Sequence, residues 1–327
     1  MNTALIIILF NFVTGTLCVM YGVNLMSTGL ENANIERMKK SLSALTGNVC
    51  KAFVTGAVVT ALVQSSTAIT VIAVGLVNSG LVRLPQAVGI IYGANIGTTI
   101  TAQLMSFKIT HMAYIILAIG LIMKVLLRKK SSRCFGSAVL GLGLMFVGLN
   151  ILNSGVPYIK ESQAAYDIFR TYGRNPAIGL ALGMITTMLV HSSSATVGLT
   201  IVLFNANLIS FDAALGLTFG DNIGTCITAQ MASIGTGINA KRTAWAHTLY
   251  NVFGVIIALI LFVPFSKLVY NITIFLGHDK TRLVANAHTI FNILSALVFL
   301  PFTNYYVMFV QWLIKDKRHN KILTKKL

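Results

Sequence analysis

Gln64-Ser65-Ser66-Thr67 and His191-Ser192-Ser193-Ser194 each set three consecutive hydroxyls in otherwise apolar chain. Downstream stand Asn95-Ile-Gly-Thr-Thr99 and Asn222-Ile-Gly-Thr-Cys226, trailing to Gln103 and Gln230. Residues 64–103 match 191–230 at 17 of 40 positions without a gap, against roughly a tenth expected from so apolar a composition. Duplication accounts for this. Duplicated polar residues inside apolar chain suggest a paired binding site at a repeat interface, as secondary transporters are built.

The residue types suit two charges of opposite sign. At the start of a helix, Ser65, Ser66 and Thr67 would join their hydroxyls to unpaired backbone N–H groups and the positive end of the macrodipole, which favours an anion. Ser192, Ser193 and Ser194 repeat the arrangement, so a tetrahedral oxyanion could be held between two tips. Packing between helices is the other use of membrane serines, and it explains one isolated Ser better than two aligned triplets. In the Asn-Ile-Gly-Thr elements, Asn and Thr offer side-chain oxygens to a hard cation. The paired glycines of Gly93-Ala-Asn-Ile-Gly97 and Gly220-Asp-Asn-Ile-Gly224 would let a helix unwind, or would let two helices pack closely. Asp221 is the one acid of eight embedded in an apolar segment, and its repeat partner is Ala94. No Lys or Arg lies beside either quartet in sequence. A desolvated divalent anion there would need co-bound cations as countercharge, which points to cation-coupled anion transport. His191 stands where the first copy has Gln64; it is a packing residue, a substrate contact or a pH sensor. His111, His247, His278 and His288 show no ligand spacing.

These residues require a membrane scaffold. With 55% hydrophobic and 10% charged residues, the chain lies outside the soluble range of about 25% charged. Stretches suited to crossing a ~30 Å core run at about 4–26, 85–107, 109–127, 134–152, 212–233, 243–266 and 284–311. The net charge of +17 sits in short loops and the tail Lys315 to Lys326, which fits positive-inside topology better than nucleic-acid binding. Cys18, Cys50, Cys134 and Cys226 have neither metal nor disulfide spacing. The N-terminal segment reads as a retained first span rather than a signal peptide, and no loop is long enough to form a soluble domain.

The stretches 52–82 and 175–211 carry the quartets near their middles. As one helix, 52–82 would reach roughly 46 Å, well beyond the hydrocarbon core. Two half-helices meeting at the quartet fit better, and broken backbone at that depth lines a cavity. With Arg37, Lys39, Lys40 and Lys51 inside, this hairpin arrangement also keeps Arg128, Lys129, Lys130, Arg133, Lys241, Arg242 and the tail inside. Crossing helices would export the Arg128–Arg133 cluster. Hairpins make the two repeats inverted.

Over about 1–311 the chain resembles bacterial members of the sodium-dependent phosphate cotransporter family, related to the type II sodium–phosphate cotransporters. Gln64-Ser65-Ser66-Thr67 matches its Gln-Ser-Ser-Ser signature with Thr for the last Ser, followed by Asn95-Ile-Gly-Thr-Thr99. The second copy departs from it at His191. Many bacterial relatives append a cytoplasmic helical regulatory domain, for which 312–327 is too short. The resemblance implies an all-α integral membrane fold of two inverted repeats, each with a re-entrant helical hairpin, with about seven spans plus two hairpins. The divisions expected are repeat 1 over 1–127 (hairpin about 48–82), repeat 2 over 128–266 (hairpin about 175–211), a closing helix over 267–314 and a basic cytoplasmic tail over 315–327. The expected function is Na⁺-coupled symport of inorganic phosphate by alternating access, in a cell (inner) membrane, with the N-terminus outside and the C-terminus cytoplasmic. Phosphate falls to Ser65, Ser66, Thr67, Ser192, Ser193 and Ser194. Na⁺ falls to Gln64, His191, Asn95, Thr98, Thr99, Asp221, Asn222, Thr225, Gln103 and Gln230. No enzyme, cofactor or nucleic-acid partner is expected, since no nucleophile–base pair, metal cluster or Gly-Lys-Ser/Thr loop is present. A homo-oligomer stays open, as do another oxyanion as substrate and a non-transporting membrane phosphate sensor or scaffold.

Overall fold

The computed structural model describes residues 3–44, 47–107 and 110–316, so the tail beyond 316 lies outside the described residues. Among these the fold is all-helical, with fifteen α-helices and no strand. In the first half are α1 (Thr3–Ala44), α2 (Val49–Val63), α3 (Ser66–Asn78), α4 (Leu84–Met105) and α5 (Ala113–Leu126). The second half opens with α6 (Lys130–Glu161) and α7 (Gln163–Tyr172), then α8 (Pro176–Val190), α9 (Ser193–Asn205), α10 (Phe211–Gly224) and α11 (Cys226–Ala232). It closes with α12 (Ile238–Ile260), α13 (Phe262–Phe275), α14 (Leu283–Phe299) and α15 (Thr303–Leu313).

Small residues decide how these helices pair. A Cβ on Gly15 would lie 2.9 Å from the Leu152 nitrogen, on Gly22 2.4 Å from that of Met145, and on Gly29 2.7 Å from that of Ala138. Numbers rising along α1 meet numbers falling along α6, so the two helices run antiparallel with their backbones in contact. The α2–α4 pair is the reverse case. Gly89 faces the Val49 carbonyl, Gly93 that of Phe53 and Gly97 that of Ala57, so α2 and α4 run parallel. The second half copies this, with Gly216 on Pro176, Gly220 on Leu180 and Gly224 on Met184 setting α10 parallel to α8. Adjacent parallel helices need a return path, and α3 and α9 supply it.

Both returns begin in the quartets. Gln64 ends α2 and His191 ends α8 in the left-handed region, at φ 60° and 53°, where non-glycine side chains are uncommon. Ser65 and Ser192 then cap the next helices, their Oγ atoms accepting from the N–H of Ala68 (3.2 Å) and Ala195 (3.3 Å).

Among the described residues, four helical segments are long and apolar enough to cross a membrane: Thr3–Ala33, Lys130–Glu161, Ile238–Ile260 and Lys280–Phe299. Of the other expected spans, 85–107 carries Asn, Thr and Gln on α4, α5 is 14 residues long, and 212–233 is split between α10 and α11 at Thr225. Two stretches expected as single helices are divided by proline. Pro264 has no N–H and crowds the carbonyl of Ile260, where α12 stops; Pro301 separates α14 from α15 within 284–311. The glycines of 93–97 do not unwind α4, which is helical throughout 84–105. A Cβ on Gly93 would sit 2.0 Å from the Phe53 carbonyl oxygen, so close packing is their role in this structure.

Candidate functional site

The two quartets, 127 residues apart, line one cavity of about 320 Å³. Gln64 to Thr67 form one wall and His191 to Ser194 another, with Tyr21, Asn24 and Ser27 of α1 contributing and no Lys or Arg among the lining residues. Ser66 and Thr67 open α3, and Ser193 and Ser194 open α9, so their N–H groups have no intrahelical acceptor. Two helix N-termini thus share one polar hollow. Such a hollow can hold an oxyanion by backbone N–H, hydroxyl and dipole without a fixed cation.

Gln64 is tied into the wall. Its Oε1 accepts from Thr101 Oγ1 (2.7 Å), its side-chain amide donates to the Ala61 carbonyl, and its own carbonyl accepts from Ser27 Oγ (2.8 Å). His191 is exposed.

Behind the tips, Ser66 and Ser193 also line a second hollow of about 10 Å³, shared with Asn95, Thr98, Asp221, Asn222, Thr225 and His288. Asn95 Nδ2 donates to Asn251 Oδ1 (2.8 Å) and Asn222 Nδ2 to the Thr218 carbonyl (2.8 Å), leaving each amide its oxygen to offer. Asp221 is fully buried. Its Oδ1 accepts from Thr187 Oγ1 (2.9 Å), while Oδ2 has no hydrogen-bond partner and lies 3.9 Å from His288 Nε2. A buried carboxylate oxygen without a donor, among amide and hydroxyl oxygens, is chemistry suited to a small hard cation.

The repeats differ here for a readable reason. Thr60, the counterpart of Thr187, packs against Gly97 of its own repeat, where Ala94 stands in place of the acid, and its buried Oγ1 has no partner. The donor is duplicated and the acid is not.

Three of the sequence-derived candidates line neither hollow. Thr99 Oγ1 donates to the Ile96 carbonyl (2.8 Å). Gln103 lies eight residues past Asn95, about 12 Å along the helix. It bonds Asn286 (3.1 Å), Thr289 (3.0 Å) and, as acceptor, Arg282 (3.1 Å). Gln230 Nε2 donates to Thr248 Oγ1 (2.7 Å). In the other direction, His288 and Thr187 belong to the inner hollow's surroundings and are not among the site residues expected from the sequence. The repeat echo of Thr60 at Thr187 and the uncharged, histidine-bearing run 283–299 are the signs that sequence offers for them. A larger hollow of about 460 Å³ among α12, α13 and α14 is apolar except for Ser295 and offers no set of oxyanion donors.

Membrane-length helices together with a doubled polar site mark the class, a polytopic membrane protein with the kind of paired site found in transporters. The Na⁺/Pi-cotransporter family profile matches residues 18–154 and 161–278, and the chain belongs to that family. It is 30% identical over 311 residues to YqeW of Bacillus subtilis (strain 168), covering 95% of this chain and all of that one. It is equally 30% identical to the candidate inorganic phosphate export protein YjbB of Escherichia coli (strain K12), spanning 94% of this chain and 56% of YjbB. A stretch of 125 residues is 42% identical to sodium-dependent phosphate transport protein 2A of Mus musculus, covering 37% of this chain and 20% of that protein. No solved structure matches the chain.

Proposed function

We propose that the chain moves inorganic phosphate across a cell (inner) membrane, coupled to Na⁺, by alternating access. The observation that carries this reading is the shared hollow into which the N-termini of α3 and α9 both open. Phosphate is held by Ser65, Ser66, Thr67, Ser192, Ser193 and Ser194, with Ser65 and Ser192 chiefly fixing the helix starts. Na⁺ is held by Asp221 with Asn95, Thr98, Asn222 and Thr225; Thr99, Gln103 and Gln230 are left out of the set, and Gln64 and His191 shape the breaks.

Two inverted repeats with re-entrant hairpins are the architecture that fits. The antiparallel α1–α6 pair supports it, since these are equivalent helices of the two halves, and it sets Arg128 to Arg133 at the same end as Lys51. Seven spans then arise if α10 with α11, α12 with α13, and α14 with α15 each cross as one broken unit. The N-terminus lies outside and the tail in the cytoplasm. In this arrangement Arg83→Cys is labelled from the cytoplasmic side and Asn207→Cys from the outer side by an impermeant thiol reagent in intact cells. Labelling of both from one side would end the inverted reading.

Phosphate flux in proteoliposomes under Na⁺, K⁺ and H⁺ gradients tests the function directly. Uptake driven by inward Na⁺ is the expected result; binding without exchange would instead favour a sensor. Because the relative YjbB carries an export name, efflux from phosphate-loaded vesicles belongs in the same experiment. Ser66→Ala and Ser193→Ala should each weaken phosphate binding by roughly ten- to a hundredfold, since each removes a donor to a charged ligand. Unchanged affinity in both would remove the two-tip anion site.

A further inference from the structure

α6 is long and apolar enough to cross a membrane and stops at Glu161; α7 follows after a single residue. None of the α7 side chains is buried, and Tyr166, Ile168 and Tyr172 are more than two-fifths exposed. A short amphipathic helix at the end of a span lies in the membrane interface. Between α7 and the α9–α10 turn is a cavity of about 320 Å³, separate from both hollows described above. Arg170 and Arg174 line it from the α7 side with Tyr166 and Phe169; on the facing turn Phe204 stands beside Asn207, Ser210 and the largely buried Leu208 and Ile209.

The cavity is built rather than incidental. The Ser210 N–H donates to the Gly173 carbonyl (2.8 Å), and a Cβ at Gly173 would sit 2.7 Å from the Leu208 carbonyl oxygen, so the two walls are held at backbone contact. Asp167, one turn before Arg170, is turned to Gln163 at 3.0 and 3.1 Å instead. Among the described residues, neither Arg170 nor Arg174 has a hydrogen bond or an ion pair. Two exposed arginines therefore line a space that no acid lines, and paired guanidiniums suit phosphate oxygens.

We propose that this cavity binds an anionic phospholipid, its phosphate on Arg170 and Arg174 and its acyl chains along the half-buried Phe169 and Phe204. The two phenylalanines favour the lipid over a free ion. A free ion could reach Asn207 and Ser210 but would lose water against Phe169 and Phe204, where a lipid presents hydrocarbon.

The test uses the full chain reconstituted in vesicles of equal parts phosphatidylglycerol and phosphatidylcholine, extracted gently and weighed with its retained lipid. Phosphatidylglycerol should be retained in preference. R170Q/R174Q should cut that retention by roughly tenfold or more, while R128Q/K129Q at the other end of α6 leaves it unchanged. Equal retention of both lipids by the unaltered chain would overturn the proposal, as would full retention by R170Q/R174Q. Displacement of phosphatidylglycerol by inorganic phosphate would also overturn it, giving the cavity to the free ion. The selectivity and displacement measurements need no variant, so they decide the matter even if R170Q/R174Q does not fold.

Discussion

Gly93→Ala and Gly220→Ala are expected to be among the most damaging single-methyl changes in this chain. A Cβ at Gly93 would lie 2.0 Å from the Phe53 carbonyl oxygen and 2.5 Å from the Ala57 nitrogen; at Gly220 it would lie 2.0 Å from the Leu180 carbonyl and 2.7 Å from the Met184 nitrogen. These obstacles are backbone, which cannot swing aside, so the helices must separate along their length. Overpacking of this kind costs about 3 kcal/mol or more, a fall in Tm of roughly 5 °C or more for a chain this size. Gly75→Ala is the control. It adds a methyl on α3 where nothing lies within 4 Å and replaces a poor helix former, so stability should hold or rise by about 0.5–1 kcal/mol. Unfolding curves in detergent for the three variants decide it. If Gly93→Ala and Gly220→Ala melt with the parent, the α2–α4 and α8–α10 pairs are not held at backbone contact.

The second large effect concerns coupling. Asp221→Asn keeps the side chain's shape and one oxygen while removing the charge from a group whose Oδ2 has no donor. If that oxygen holds Na⁺, raising Na⁺ should tighten phosphate in the parent and do so far less in the variant, because linkage between two bound ligands is reciprocal. A coupling of the usual size, 5- to 150-fold, should fall to about onefold in the variant. Phosphate affinity at saturating Na⁺ should move less. Isothermal titration of phosphate at several Na⁺ concentrations measures both. An unaltered Na⁺ dependence would make Asp221 a structural acid bonded to Thr187 and send the search for cation ligands to Asn95, Thr98, Asn222 and Thr225. Ala94→Asp is the matching addition, since the unpartnered Thr60 hydroxyl stands where Thr187 bonds Asp221.

The parts of this site that were legible in sequence are those carried by local chemistry. Two hydroxyl quartets at a fixed offset point to helix starts, and Ser65 and Ser192 cap helices there. Asp221 stood out because one acid in an apolar run is costly. What stayed hidden depends on partners far along the chain. Glycine permits either unwinding or close approach, and only the presence of Phe53 against Gly93 selects the second. Gln103 shares a motif with Asn95 yet bonds Arg282 and Asn286, more than 175 residues away, because two further turns of helix carry it out of the site. His288 has no ligand spacing since its neighbour in the site, Asp221, comes from another helix. α7 leaves little trace in the sequence because its apolar and polar residues alternate at helical period over only ten residues.

The α1–α6 pair marks one place in the molecule where helices cannot slide past each other. Glycines seven apart on α1, at 15, 22 and 29, meet glycines seven apart on α6, at 141, 148 and 155, or the residues beside them. Sliding by anything short of that repeat, about 10 Å, drives a side chain into a main chain. The pair is thus a locked spine rather than a bearing, and a covalent staple between them, near Gly22 and Met145, would leave any working motion intact. In a transport cycle of the kind proposed, movement would then take place around this spine and not within it.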